Sequence, residues 1–436
     1  MAPHQTAMTM FALALILAAA HLLGTLAKRF GQPPVVGEIL AGILLGPSLF
    51  NGAVSETLFP PDVRPHLVTL GNLGVALFMF VVGLEIDHRL LRGSRRAAVG
   101  VSIGSMVFAF GLGCLLALYL WHDHKVPNHL GFVLFMGASM SITAFPVLAR
   151  ILTDRGIQHT RLGALAMASA AIGDVVAWFL LAAIVTLTGG QHFWQVLLAL
   201  PYALVMVWVV RPLLGRIVSA PARGGRRTAE RELTAGPVIV LIVLLLLSGG
   251  LSEWFGLHFI FGAFFAGVIM PRHGTERLRT QVSDRVGMVT WILLPAYFAV
   301  AGLSVNLAAV GDDGFGELAL ILLVAIGGKF IGAYTGARAG GQPGRVATTL
   351  GVLMNTRGLT ELIILGVGLQ LHLLDSDLYS LMVVMAVVTT AMTAPLLRWS
   401  YPRQMIDADL LKLSQEWRET ARTVPGRSVA ARPPGE

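Results

Sequence analysis

The sequence predicts an all-α, polytopic membrane protein of about thirteen transmembrane helices, and three observations carry that prediction. Hydrophobic residues make up 55% of the chain and charged residues 13%. That is too little polar side chain to cover an aqueous surface, so lipid is the solvent for most of the chain. The apolar residues come in runs about as long as a helix crossing a hydrocarbon core of ~30 Å needs. The 32 basic residues fall mostly between these runs, dense in one connection and sparse in the next, as the positive-inside rule requires of a multi-pass chain.

Taken in order, the runs lie near residues 7–27, 33–49, 67–86, 97–121, 129–149, 162–188, 193–215, 235–251, 257–270, 286–305, 316–337, 346–371 and 378–397. The first has no basic stretch ahead of it and no small-residue cleavage site behind it, and Lys28 and Arg29 follow it instead. It is expected to be a retained helix rather than a signal peptide. The ninth is short for a span. The longest connection, 216–234, is rich in Arg and Gly and reads as a linker between halves. The chain is therefore expected to be a transmembrane domain over 7–400 and a short cytoplasmic tail over 401–436, a juxtamembrane helix followed by disorder. Alternate connections and the tail, with Arg211 at the end of the seventh run counted among them, hold 28 of the basic residues, the opposite set holds Arg64 and Lys125, and Lys329 and Arg357 lie deep inside spans. This asymmetry predicts an odd number of spans, an N-terminus outside and a C-terminus in the cytoplasm of a cell (plasma or inner) membrane.

The same count disposes of the net charge of +8 as a nucleic-acid signal, because the charge borders the spans. The single cysteine, Cys114, sits in an apolar run, so neither a disulfide framework nor a cysteine-ligated metal is available. No HExxH motif and no paired catalytic aspartates are present. Neither an intramembrane enzyme nor a resident cofactor or metal is expected.

An ionisable group at mid-membrane costs at least ~2.5 kcal/mol, so each one is a candidate functional residue. Asp174 lies 13 residues beyond Arg161, which at about 1.5 Å per residue is ~20 Å into the sixth span. Lys329 lies nine residues before Arg338, ~14 Å into the eleventh. Opposite charges at one depth point to a shared site, with a structural ion pair between helices as the plainer alternative. Arg357 and Glu361, spaced i,i+4 in the twelfth span, are expected to be a local structural pair. Glu38, Glu85, Asp87, His88 and His258 are read as boundary residues able to reach the interface.

Two spans carry interruptions. In the fifth, Ser141-Ile142-Thr143-Ala144-Phe145-Pro146 places a residue without a backbone donor in mid-span. In the twelfth, Asn355-Thr356-Arg357-Gly358 is a polar run in apolar sequence, tolerated only where protein or a cavity surrounds it. The loop count makes these two spans antiparallel, the layout of an inverted repeat whose broken helices meet at a midplane ion site.

At these residues a family resemblance becomes specific. The segments VVGEILAGILLGPSLF (35–50), LFMFVVGLEID (77–87), SITAFPVLARIL (141–152), AAIGDVVAWFLLA (170–182), IFGAFFAGVIMP (260–271), YFAVAGLSVNL (297–307), GKFIGA (328–333) and MNTRGLTELIIL (354–365) resemble successive signatures of the cation:proton antiporter superfamily. The branch is that of Kef-type potassium/proton antiporters and plant cation/proton exchangers. The resemblance implies a homodimer with a core (transport) domain, here roughly 97–188 and 316–397, and a dimerisation domain, roughly 7–86 and 235–305, between which the core moves as an elevator. It implies that Asp174 is the cation- and proton-binding carboxylate and Lys329 the lysine beside it. Ser141, Thr143 and Pro146 would belong to one crossed, broken helix and Asn355 and Thr356 to the other. Two features depart from the pattern: Gly173 stands where relatives often carry a polar or acidic residue, and the Kef-type cytoplasmic nucleotide-binding domain is not among these 436 residues.

The expected function is thus exchange of a monovalent cation, Na+ or K+, for protons, contributing to pH homeostasis. Asp174 would alternate between the two substrates, and oxygens of the broken helices would complete the shell of a hard cation. A cation channel or efflux pore without obligatory proton coupling is the rival. With one acid in the sixth span and Lys329 expected to pair with it, the exchange is expected to be electroneutral.

Overall fold

In a computed structural model, residues 3–47, 52–85, 95–124, 126–187, 197–219, 235–256, 258–271, 276–303 and 314–423 are described. Asp87 and His88, Lys125, the start of the seventh span at 193–196, the linker over 220–234 and the end of the tail from 424 lie outside them. The described residues are helical with no strand. Among the described residues, nine helices are long and apolar enough to cross a membrane, and four shorter apolar helices accompany them.

The helices follow the apolar runs. The first is α1, Pro3–Arg29, closed by Lys28 and Arg29 in its last turn, where cations complement the helix dipole. Pro34 opens α2, Pro34–Leu45, within its first turn, where its missing N–H is harmless. Next come α3, Ala53–Leu58, α4, Arg64–Glu85, and α5, Arg95–Leu120. The fifth span is two helices, α6, His129–Ser141, capped by Asn128 on the Gly131 N–H at 2.9 Å, and α7, Phe145–Asp154. The sixth span is α8, Arg161–Leu187. The seventh comprises α9, Ala199–Val205, a π-helical stretch Met206–Val210, and α10, Arg211–Ser219. Then follow α11, Ala235–Trp254, the ten-residue α12, Phe259–Val268, α13, Glu276–Gly302, and α14, Gly314–Ala339. The twelfth span is again two helices, α15, Gly344–Met354, and α16, Leu359–Gln370, followed by α17, Ser376–Ser400, and the polar α18, Arg403–Thr423.

The chain forms two compact units, one of residues 1–68, 87–190 and 298–436 and one of 69–86 and 191–297. In the first, α5 and α14 lie backbone to backbone. A Cβ on Gly336 would sit 2.0 Å from the Gly100 carbonyl oxygen and one on Gly332 2.2 Å from that of Gly104, the small-residue packing that lets membrane helices approach closely. In the second, residues 69–85 pack on α12, where Gly267 meets the Phe80 carbonyl oxygen. Ser248 of α11 donates to the Gly262 carbonyl of α12 at 2.6 Å.

Beyond the membrane-spanning part of α5, His124 is held between Asp375 at 2.5 Å and Glu317 at 3.1 Å. One imidazole thereby ties the end of α5 to the starts of α14 and α17. The hydrogen bond with Asp375 is the largest cause that pushes its pKa up from 6.5 to about 9; burial opposes, and Glu317 adds to the rise.

Candidate functional site

The fifth span is extended at Ile142 and Ala144. Pro146 stands in the first turn of α7, so it starts the second half-helix. The twelfth span breaks over Asn355–Gly358. Glycine is required at 358 by proximity, since a Cβ there would fall 2.5 Å from Val147 Cγ2. The two breaks cross and bond to each other: the Ala144 N–H donates to the Thr356 carbonyl at 3.0 Å, and Thr143 Oγ1 donates to the Met354 carbonyl at 3.2 Å.

Charges are distributed according to the half-helix ends. The last carbonyls of α6, the negative end of its dipole, receive cationic donors. Arg357 donates from Nη1 to Ser139 O at 3.0 Å and from Nη2 to Met140 O at 2.8 Å, and Lys329 Nζ donates to Ser141 O. The positive start of α7 receives an anion, as the Phe145 N–H donates to Asp174 Oδ2 at 3.3 Å. Asp174, Lys329, Arg357 and Glu361 are all buried. Arg357 and Glu361 pair at 2.7 Å with no exposure of either side chain.

Lys329 does not pair with Asp174. Its second hydrogen bond goes to Thr143 Oγ1 at 2.6 Å, so the lysine makes no direct hydrogen bond to Asp174, although the two charges still interact across the break. The ammonium is spent on the carbonyl and hydroxyl of the first break. Among the described residues, Asp174 Oδ1 is buried with no hydrogen-bond partner.

The anticipated oxygens of the ion shell divide into engaged and free. Ser141 Oγ donates to Ala138 O at 2.7 Å, Thr356 Oγ1 to Leu353 O at 2.7 Å, and Thr143 Oγ1 is taken up by Lys329 and Met354. Asn355 donates its Nδ2 to Gly351 O at 2.9 Å, which leaves its Oδ1 buried and unpartnered among the described residues. Two further buried hydroxyls without partners, Ser102 and Ser139, were not singled out in the sequence. Ser102 Oγ lies 3.4 Å from where a Cβ at Gly173 would stand, beside the residue preceding Asp174.

Sequence reasoning also missed Thr390 of α17. Its Oγ1 accepts from the Arg357 N–H at 2.9 Å and donates to the Arg357 carbonyl at 2.6 Å, satisfying both backbone groups of the residue at the second break. Nothing in an apolar run with threonines at 389, 390 and 393 distinguishes it, since a helical threonine ordinarily bonds its own preceding turn. Glu38 is a correction. It does not snorkel to the interface but is 3% exposed, with Oε1 3.7 Å from Arg150 Nη2. Of the other boundary residues, Glu85 accepts from Ser283 Oγ at 2.8 Å, and His258 caps the short α12.

Comparison with known proteins places these residues in a wider group. Residues 15–399 match the family described as sodium/hydrogen exchanger, transmembrane. The chain is 39% identical over 401 residues to the Na(+)/H(+) antiporter NhaS4 of Synechocystis sp., covering 89% of this chain and 95% of that one. It is 35% identical over 404 residues to Cation/H(+) antiporter 20 of Arabidopsis thaliana and 32% over 425 residues to K(+)/H(+) antiporter 1 of Saccharomyces cerevisiae. It covers 88% and 93% of itself in these two matches but spans about half the length of either relative, 47% and 48%. Among solved structures it is similar in fold to the sodium proton antiporter MjNhaP1 from Methanocaldococcus jannaschii. The TM-score is 0.66 at 14% identity, over 92% of this chain and 98% of that one.

Proposed function

The chain belongs to the transmembrane sodium/hydrogen exchanger family, and from that membership we propose that it is a cation/proton antiporter in which Asp174 is the group both substrates share. It is a multi-pass membrane transporter and not an enzyme. The observation that carries the reading is the state of the Asp174 carboxylate: fully buried at the crossing, one oxygen steadied by the first N–H of α7 and the other unpartnered. A buried anion with a free oxygen takes either a proton or a dehydrated monovalent cation, and not both. The occupied site is roughly neutral and can cross the low-dielectric barrier, while the empty carboxylate is too costly to move. That penalty makes the exchange obligatory and separates it from a pore.

Among the described residues, the unpartnered buried oxygens include Asp174 Oδ1, Asn355 Oδ1, the hydroxyls of Ser102 and Ser139, and Glu361 Oε2. They are hard ligands suited to Na+ or K+, and the names of the relatives include both ions. Alternating access would move a core of roughly 97–188 and 316–397 against dimerisation helices of roughly 7–86 and 235–305, in a homodimer of thirteen-span protomers in the cell membrane, N-termini outside. One acid in the sixth span and a lysine bound into the break support one proton per cation.

The test is cation-driven movement of a pH gradient in proteoliposomes, with Na+, K+ and Li+ supplied separately. Wild-type protein exchanges and Asp174→Asn, which has no carboxylate to titrate, does not. Residual exchange near the wild-type rate removes Asp174 from the mechanism. Cation current without counter-movement of protons returns the channel. A rate that follows an imposed membrane potential refutes electroneutrality.

A further inference from the structure

The basic end of the first unit carries an arrangement that the exchange chemistry does not use. The turn joining α1 to α2 presents the carbonyl of Gly31, which has a positive φ of 69°. Two arginines from different helices donate to that one oxygen: Arg155, just past the end of α7, at 3.3 Å, and Arg398, in the last turn of α17. A Cβ at Gly31 would fall inside the Arg398 guanidinium, so glycine serves both the turn and the seat. One turn further into α2, Glu38 meets a third arginine, Arg150 of α7, at 3.7 Å. All three arginines come from helices of the expected core, and both acceptors come from the α1–α2 hairpin, expected to stand still while the core moves.

We propose that Arg150, Arg155 and Arg398 form a reversible clamp on the α1–α2 hairpin that is closed in the conformation seen here and opens when the core carries its substrate to the other side. This rests on the antiport reading above. The contacts are built to break at little cost to the arginines. Arg150 also donates from Nε to Asp154, on its own helix, at 3.1 Å, and keeps that partner if Glu38 leaves. Arg155 and Arg398 stand at helix ends, where water replaces a shared carbonyl readily. The cost of opening falls on Glu38, whose Oε2 is buried and already without a partner among the described residues. A buried ion pair is weak support for stability and better suited to fixing one arrangement against another. The clamp therefore weights one end state of the transport cycle. A ligand or contact that discriminates between two states shifts their balance only by its differential free energy, and removing the clamp changes that balance without touching Asp174.

The experiment uses the full chain reconstituted with known orientation, comparing wild type, Glu38→Gln and the double variant Arg155→Gln/Arg398→Gln. The apparent affinity for Na+ and for K+ is measured from each face. The expected result is a change of about five-fold or more in the ratio of the two affinities, the lower range of coupling between sites, in the same direction for both variants. A merely structural role lowers activity from both faces alike and leaves the ratio unchanged, which overturns the proposal. Hydrogen exchange of residues 28–38 in detergent supplies a readout independent of transport: both variants exchange faster than wild type, and unchanged protection overturns the clamp even if the wild-type protein proves not to exchange protons. Wild-type flux abolished by Asp174→Asn, with unaltered ratios in the clamp variants, would leave the antiport reading standing and the clamp refuted.

Discussion

Thr390→Val tests whether the second break is held from outside its own helix. Valine nearly matches threonine in shape, so the substitution leaves little cavity and removes only the hydroxyl. With it go two hydrogen bonds, at 2.9 Å from the Arg357 N–H and 2.6 Å to the Arg357 carbonyl. Each backbone group left buried and unsatisfied costs about 1–3 kcal/mol, so the intact break loses at least ~2 kcal/mol relative to any rearrangement that rescues those groups. Hydrogen bonds between membrane helices average only ~0.6 kcal/mol because alternative partners are usually at hand. Here the next turn of α16 has not begun, and the orphaned groups face the side chain that was removed. A loss of ~2 kcal/mol corresponds to a roughly 30-fold shift in the ratio of assembled to rearranged crossing. The assay is cation-driven proton movement in proteoliposomes at saturating cation, with thermal unfolding in detergent alongside. Thr390→Val is expected to lose activity, by at most about that factor, while Thr390→Ser, which keeps the hydroxyl, retains most activity. Wild-type behaviour in the valine variant, or equal losses in both variants, would refute the reasoning.

Other outcomes follow from the same structure. Gly336→Leu forces α5 and α14 apart, at the ~1–3 kcal/mol of an overpacked contact, and lowers the unfolding temperature. Gly327→Leu on the same helix meets nothing within 4 Å and leaves that temperature unchanged; equal effects would contradict the close packing. His124→Gln removes a staple that requires the charged imidazole. The folded-state pKa is raised from 6.5 to about 9, so its contribution is full below about pH 6.5 and is lost as pH rises through about 9. Thermal unfolding should show the variant destabilised at pH 6 and no different from wild type near pH 10, and a deficit independent of pH would exclude the charged staple. Cysteines introduced at Gly224 and after Tyr401 in a background without Cys114 should resist labelling from outside intact cells, and labelling at either contradicts the charge-derived topology.

The features legible in the sequence were those set by depth and by backbone chemistry. Asp174 stood out because a charge far from both ends of an apolar run has few innocent explanations. The two breaks stood out because Pro146, Gly358 and the polar runs beside them are incompatible with an uninterrupted helix in lipid. Partnerships between helices were not legible, because they depend on how each helix is rotated about its axis and a few degrees decide which group is met. Equal depth put Lys329 opposite Asp174, whereas the ammonium donates to Ser141 O and Thr143 Oγ1. Glu38 looked free to reach the interface from five residues inside a span, but its burial against α7 depends on the crossing that α7 itself creates. Thr390 and Ser102 carried no mark at all: each is one hydroxyl among several in apolar sequence, and its use is decided by the neighbouring helix.

The polar helix Arg403–Thr423 follows α17 after a single turn at Tyr401, whose backbone N–H still donates to Leu397 O at 2.8 Å and whose phenol bonds Asp409 at 2.5 Å. Arg345 of α15 reaches the Ser400 carbonyl at 3.3 Å, so the joint is fastened from both sides. The helix is thereby joined to the last transmembrane helix by a fastened corner. Anything grasping it from the water phase grips the bundle that holds Asp174, and a dye fixed to an exposed position such as Leu411 would report that bundle's displacement.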